Sequence, residues 1–525
     1  MSEPRLGNLI TVLLPARSYK INCALTTEKL MPGIEQFACR LLLIFDQLYP
    51  SELQNYFGLT DREREVLLDG LLANRLININ PDGHIEASSF LRKHAANNGG
   101  KPSLVKYQEC TEEVAFDLLT LSICKPQPNR RFTSGLPELL PRHQIGGDAA
   151  AVTEAFSSQF RHHLLLSRNS EYERQRTKLY KIMGCSSHEM VQLPIEIEVS
   201  YGVSAGSIEP QKFTRSYEYL GNTRLPLSNE LEAHIADFLG EHKLDEFGID
   251  CEDFCKLAND KVLLQFANGY KFNYSGWIEA REQRKTGYGT SLTTGMLGAV
   301  YLPHNSKLFI SMLHNALRDY IGKTAPKALW YSSKVPLWGA NGSQLSRFTR
   351  ALGDILGNYA DDKIARISLL HSSADEGEKR QERKRHLGRF PTGIGLTSEA
   401  KFDRLEILLI PDVIALVQYH GQPNSDSALT LPIGYITVEP ERLELLKKLM
   451  IKRTEGAVAT ITWSESKFEN LASLLPVEFL IKLNKKSGED VDAAIKKCRS
   501  ITVLKPHGQF YRYASSIYIA TNKFF

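Results

Sequence analysis

At 525 residues the chain exceeds the roughly 250–300 that one hydrophobic core holds, so about two to four domains are expected. Hydrophobic residues at 42% and charged residues at 24% exclude a disordered chain, and 64 Lys+Arg against 60 Asp+Glu leave a net charge of only +4. That balance permits a local basic footprint without making the chain a polycation. No apolar run reaches ~18 residues and the N-terminus lacks a basic leader with a small-residue cleavage site, so a cytoplasmic protein without membrane contact is expected. In chain order, residues 1–30 read as two strands, "LITVLLP" and "YKINCALT". A helix follows with Ile34, Phe37, Ala38, Leu41, Leu42 and Phe45 on one face. "SELQNYFG" is a short second helix opened by Ser51 and closed by Gly58. Thr60 and Glu63 form a capping box opening a third helix, with Val66, Leu67, Leu71 and Leu72 facing inward. "LININPDGHIEAS" then makes a hairpin turning at "PDG" between Ile79 and Ile85, and "HAANNGGKPS", from His94, reads as a linker.

Residues 101–295 form a mixed α+β middle region. "VAFDLLTLSIC" is strand-like, "GDAAAVTEAFSSQFRHHLLL" is one amphipathic helix capped by Asp148, and "VQLPIEIEVSYG" alternates with period two. A helix at 229–241 and the segment "CEDFCKLAND" complete it. From residue 296 to 525 strands alternate with helices, the pattern of an α/β domain with covered sheet faces. Its strands are "GAVYLP", "KALWYSS" and "ARISLLHSS", a hairpin-like pair "RLEILLIP" and "VIALVQYH", then "LPIGYITVEP" and "AVATITW". The charged stretch "EGEKRQERKRHLGRFPTG" reads as a loop among them, and a helix near 491–498 and two terminal strands close the chain. The expected class is thus multidomain α/β, divided as 1–100, 101–295 and 296–525.

Three helices and a two-stranded wing from Ile34 to about Phe90 resemble the winged helix-turn-helix fold. That resemblance implies a third helix entering the DNA major groove, whose leading side chains should be basic or amide. Here they are Asp61, Arg62, Glu63, Arg64 and Glu65. Arg62 and Arg64 are candidate phosphate contacts, opposed by three neighbouring carboxylates. Use of the unit for protein docking stands beside DNA binding.

The order of elements from His304 to Met450 is similar to one half of a phospholipase D-like fold. Active members carry a His nucleophile and, two residues on, a Lys that steadies the phosphate. The resemblance places these on Phe402 and Arg404, with Asn424 and Ser425 where a small polar residue assists. Phe402 cannot act as a nucleophile, and one motif copy is present where the family uses two. This implies a degenerate phosphodiesterase domain reused for binding or assembly.

Lys379, Arg380, Arg383, Lys384, Arg385 and Arg389 flank His386 in the strongest basic cluster, a candidate site for a nucleic-acid backbone. His371 and His420 end strands and, with Arg404 and Asp412, would make a catalytic group if those strands were neighbours. The eight cysteines show no repeated C-x-x-C, and no P-loop, H-E-x-x-H or G-x-S-x-G is present, so neither cofactor nor metal is expected. Three functions stay open. One is a non-catalytic DNA-binding or assembly component with protein partners, an architecture that resembles accessory proteins of bacterial anti-phage or mobile-element systems. The others are a phospholipase D-like nuclease and a winged-helix transcription regulator.

Overall fold

The structure, a computed structural model, describes residues 5–29, 31–97, 104–125, 135–140, 148–202, 212–215, 227–318, 320, 326–359, 366–423, 427, 429–466, 470–484 and 487. Asn424, Ser425, most of the linker after Asn97 and the elements expected beyond residue 490 lie outside the described residues. The chain forms two compact units, each assembled from separated stretches. One comprises Met1–Leu14, Gln127–Leu140 and Pro194–Phe525, and the other Pro15–Pro126 and Pro141–Leu193. Among the described residues no helix is long and apolar enough to cross a membrane.

Strand β1 (Arg5–Lys29) is continuous where two strands were expected. Pro15 suggests a break because it lacks an N–H, yet its carbonyl still accepts from Leu118 N at 2.9 Å. In the Pro15–Leu193 unit, α1 (Gly33–Ile44), α2 (Pro50–Phe57) and α3 (Asp61–Ala73) precede a hairpin of β2 (Ile77–Ile79) and β3 (Ile85–Ala87). The capping box of α3 forms: Thr60 Oγ1 accepts from Glu63 N at 3.4 Å and Glu63 Oε2 accepts from Thr60 N at 2.9 Å. Gly58 ends α2 at φ 66°, a left-handed conformation that suits glycine. The cap of α2 is Tyr49 rather than Ser51, because Pro50 fits the first turn, where no N–H is needed.

Ala38, Leu42, Leu53, Leu67, Leu71 and Ile85 build this small core. The expected inward faces are partly wrong: Phe37 (56%), Phe45 (50%) and Val66 (67%) are exposed, and so are Ile34 and Leu72. On α3 the buried stripe runs through Leu67 and Leu71, and Val66 sits one residue, about 100°, off it. Helix α4 (Ser89–Asn97) occupies the start of the expected linker.

Strand β4 (Leu104–Asp117) pairs antiparallel with β1 from Ala16↔Asp117 to Lys29↔Leu104, and β5 (Ile123–Cys124) pairs with β4. The single helix expected after Asp148 is two, α5 (Ala149–Ser158) and α6 (Phe160–Ser167). The break is at Gln159, whose side chain accepts from Ile123 N at 2.8 Å and donates to Leu121 O at 2.9 Å. A short α7 (Glu171–Arg176) leads to β6 (Thr177–Tyr201), whose Leu193, Ile195, Ile197 and Val199 are buried as the period-two pattern requires.

The other unit continues through β7 (Lys212–Arg215), α8 (Asn229–Glu241), α9 (Cys251–Leu257), β8 (Ala267–Asn268), β9 (Lys271–Phe272) and α10 (Tyr274–Glu282). Then come β10 (Thr293–Leu297), α11 (Pro303–Leu317), β11 (Lys327–Tyr331), α12 (Gln344–Gly357), β12 (Arg366–Ser372), α13 (Glu376–His386) and β13 (Thr392–Leu396). The described chain closes with β14 (Leu405–Ile410), β15 (Ile414–Gly421), β16 (Leu431–Thr437), α14 (Pro440–Thr454), β17 (Ala459–Ser464), α15 (Leu471–Leu474) and α16 (Val477–Lys482). Eight strands form one sheet in the order β10-β16-β15-β14-β11-β12-β13-β17. Within it β11, β12 and β13 are mutually parallel and the other pairs antiparallel.

Both sheet faces are covered, which is why β14, β15 and β16 read as largely apolar runs, interrupted by the buried Glu406, Gln418 and His420. Phe309 and Leu313 of α11 with Phe348 and Leu352 of α12 pack one face. Phe254 of α9, Trp277 of α10 and Leu446 and Met450 of α14 pack the other.

Candidate functional site

The three parallel strands end on a common edge. In open α/β sheets, ligands bind beyond the carboxyl ends of such strands, where the outgoing loops part. Here β11 runs out into Ser332, Ser333 and Lys334, and β12 into Ser373 and then α13. A cleft of about 630 Å³ opens at this edge, lined by Lys334, Trp338, Ser372, Glu378, Gln381, Glu382, Lys384, Arg385 and Phe402.

The basic cluster is therefore a helix, and the expectation of a loop is corrected. Asp375 caps it by accepting from Glu378 N at 2.8 Å, and Glu378 reaches back to Ala374 N at 2.6 Å. Acidic residues fill the first turn and basic ones the last, as the helix dipole favours. Pairs three residues apart bind Lys379 to Glu376 at 2.7 Å and Arg385 to Glu382 at 3.0 Å. Lys334, from the β11 loop, meets Glu378 at 3.1 Å.

These contacts sort the six candidate cations. Lys379 and Arg385 are paired. Arg389 is buried at 4% exposure, with Nε donating to Asn341 O at 2.9 Å and its guanidinium also bonded to Arg385 O. Arg380, Arg383 and Lys384 are exposed and have no side-chain partner among the described residues. They occupy adjacent turns at i, i+3 and i+4, which places them on one helical face.

Beneath that face, His386 is fully buried, its Nε2 3.3 Å from Glu382 Oε2 but with neither ring nitrogen in a hydrogen bond. Burial pushes this imidazole down to about 4, with Arg385 and Arg389 assisting and Glu382 opposing. Burial alone would raise the Glu382 carboxyl, but His386, Arg385 and His371 beside it hold it down to about 2.

The three candidate catalytic residues are not brought together. His371 on β12 and His420 on β15 are separated by β11 and β14, a distance of three strand spacings or roughly 14 Å. His371 Nε2 faces Thr462 Oγ1 at 3.0 Å and its ring stacks on Trp463 with centroids 5.3 Å apart. His420 Nδ1 faces Thr430 Oγ1 at 3.1 Å. Arg404 is 2% exposed, donating to Asp245 O at 2.5 Å and to Tyr419 Oη at 3.4 Å, its guanidinium 4.9 Å from the Tyr270 ring centroid. No phosphate can reach it in this arrangement. Asp412 sits in the β14–β15 turn at φ 61°, at the opposite end of the hairpin from His420.

One buried centre was absent from the sequence reading. Glu406 on β14 accepts from Trp330 Nε1 at 2.7 Å through Oε1, and from Trp338 Nε1 at 3.0 Å and His420 Nε2 at 2.6 Å through Oε2. The available signal was a lone acid inside the apolar run "RLEILLIP". A buried carboxylate needs such donors.

In the other unit, Arg64 is held by Gln54 at 2.7 Å and Asp61 at 3.2 Å, while Arg62 has no partner among the described residues. Among the described residues no group of three or more His, Cys, Asp and Glu is placed to share a metal ion. Compared with family models, curated proteins and solved structures, the chain gives no significant match.

Proposed function

We propose that this chain is a non-catalytic nucleic-acid-binding component whose contact surface is the exposed face of α13. The observation that carries the reading is the row Arg380, Arg383 and Lys384, uncompensated and beside a cleft at the carboxyl edge of parallel strands. Three cations on adjacent turns match a phosphate backbone and release counterions when they meet it. The burial of His371, His420 and Arg404, each already engaged by protein groups, supports binding without hydrolysis.

The test is a salt titration of duplex DNA binding. Replacing Arg380, Arg383 and Lys384 together with Ala should weaken binding to every sequence and flatten the salt slope by about 2–3 if all three touch phosphate. A larger loss from Arg62→Ala with Arg64→Ala would move the interface to α3.

For the winged-helix-like segment, a protein partner is the reading favoured by its exposed Phe37, Phe45, Tyr56 and Val66. Exposed apolar side chains of this size serve protein contacts better than phosphate contacts.

A further inference from the structure

We infer that the cleft beside α13 receives one unpaired nucleotide, its base on Phe402 and its phosphate on Lys384. This rests on the proposed contact of α13 with a nucleic-acid backbone and names what that strand must present. Phe402 follows the cleft's sheet edge and stacks face to face on Tyr331, with centroids 4.5 Å apart and planes 7° from parallel. One face of its ring is thus backed by a buried aromatic, and the half-buried ring lines the cleft. An aromatic so held is a stacking platform that needs no ordering when a base arrives.

The same cleft also presents Gln381 and Lys384, neither with a side-chain partner among the described residues. The amide supplies one donor group and one acceptor for a base edge, and the ammonium meets the adjoining phosphate. The cleft's about 630 Å³ falls within the range of small-ligand sites. A base paired inside a duplex cannot present its face to Phe402, so the occupant is a strand end, a gap or a base turned out of its stack.

The experiment compares a blunt DNA duplex with the same duplex carrying a short single-stranded overhang that contains 2-aminopurine. The full chain should bind the overhang substrate about tenfold more tightly, the worth of one stacked base, and quench the 2-aminopurine fluorescence. Phe402→Ala and Phe402→Leu should bring the ratio of the two affinities to about one and abolish the quench, and Phe402→Trp should keep both. Leu retains the apolar packing on Tyr331, so its loss of preference reads the ring and not the fold. A preference and quench that survive in Phe402→Leu, or no preference in the parent chain, overturns the base site. The Arg380, Arg383 and Lys384 triple variant separates the two readings. If it binds blunt duplex as the parent does, the α13 surface fails. If it binds weakly while Phe402 has no effect on the ratio, only the base site fails.

Discussion

His420 Nε2 lies 2.6 Å from Glu406 Oε2, and neither residue is more than 4% exposed. With the Trp330 and Trp338 indoles, the imidazole completes a closed set of donors around one buried carboxylate. Glu406→Ala leaves three buried donors without an acceptor and should cost on the order of 3–5 kcal/mol, read as a lower urea midpoint. His420→Ala should also destabilise. A phosphodiester cleavage abolished by His420→Ala at parental stability would instead assign this pair to catalysis.

Acid should destabilise the α13 unit through His386. Burial holds its folded value at about 4, below the ordinary value near 6.5. The unfolded chain therefore takes up a proton that the folded chain refuses, and stability falls as pH drops from about 6.5 to about 4. The loss is on the order of 2–3 kcal/mol. His386→Leu should flatten denaturation midpoints over that window. Some slope should persist, because burial also lowers His371, against the Ser372 carbonyl and the carboxylates of Glu382 and Glu378.

The three-helix segment offers a paired test of its caps and faces. Thr60→Ala removes the capping box of α3 and should cost about 1 kcal/mol. Val66→Ser, at a side chain 67% exposed, should stay within about 0.5 kcal/mol. Thermal melts of both variants decide whether the observed stripe, through Leu67 and Leu71, is the packed one.

Cys23 and Cys110 are register partners across β1 and β4, with Sγ atoms 3.7 Å apart. Opposed residues in an antiparallel pair have Cα atoms about 4.5–5.5 Å apart, within the span a disulfide bridges. Burial first, then Cys110 and Glu112, pushes the Cys23 thiol up to about 12, so its thiolate is scarce at neutral pH. Oxidised glutathione should close the pair slowly near pH 7 and faster near pH 9. Each closure consumes one glutathione disulfide and releases two thiols. Mass spectrometry should show the loss of two hydrogens, absent in Cys110→Ser; a stable mixed disulfide on either cysteine would refute the closure.

Local signals were legible where chemistry sits in neighbouring residues. Thr60 with Glu63, Gly58, the "PDG" hairpin and the alternation ending β6 all form where their spacing places them. Much of the strand and helix order after residue 296 also follows apolar periodicity, but "GAVYLP", expected as the first strand, is a turn into α11, and the strand is β10 just before it. What failed has identifiable causes. The stretch 376–386 lacks an apolar stripe, so it resembles a loop, although Asp375 and Glu378 carry the spacing of a cap. The helix break at Gln159 depends on Ile123 and Leu121, which no local window contains. Likewise Glu406 gains its meaning from Trp330 and Trp338, 76 and 68 residues away. The separation of His371 from His420 follows from strand order, which alternation alone does not specify.

The start of β1 has a consequence for the chain during synthesis. Leu9 O accepts from Asn341 and Asn8 donates to Thr430 O, 332 and 422 residues later. A ribosome working at roughly 5–20 residues per second needs about 20–80 s to reach Thr430 after making Asn8. Throughout that interval Asn8 and, until Asn341 is made, Leu9, both buried in the finished fold, wait for these partners, although Leu13 meets Pro137 and Leu139 much earlier. The nascent chain thus carries an early apolar segment whose partners at Asn341 and Thr430 are made long after its own sheet, the kind of surface that makes incomplete chains prone to aggregate.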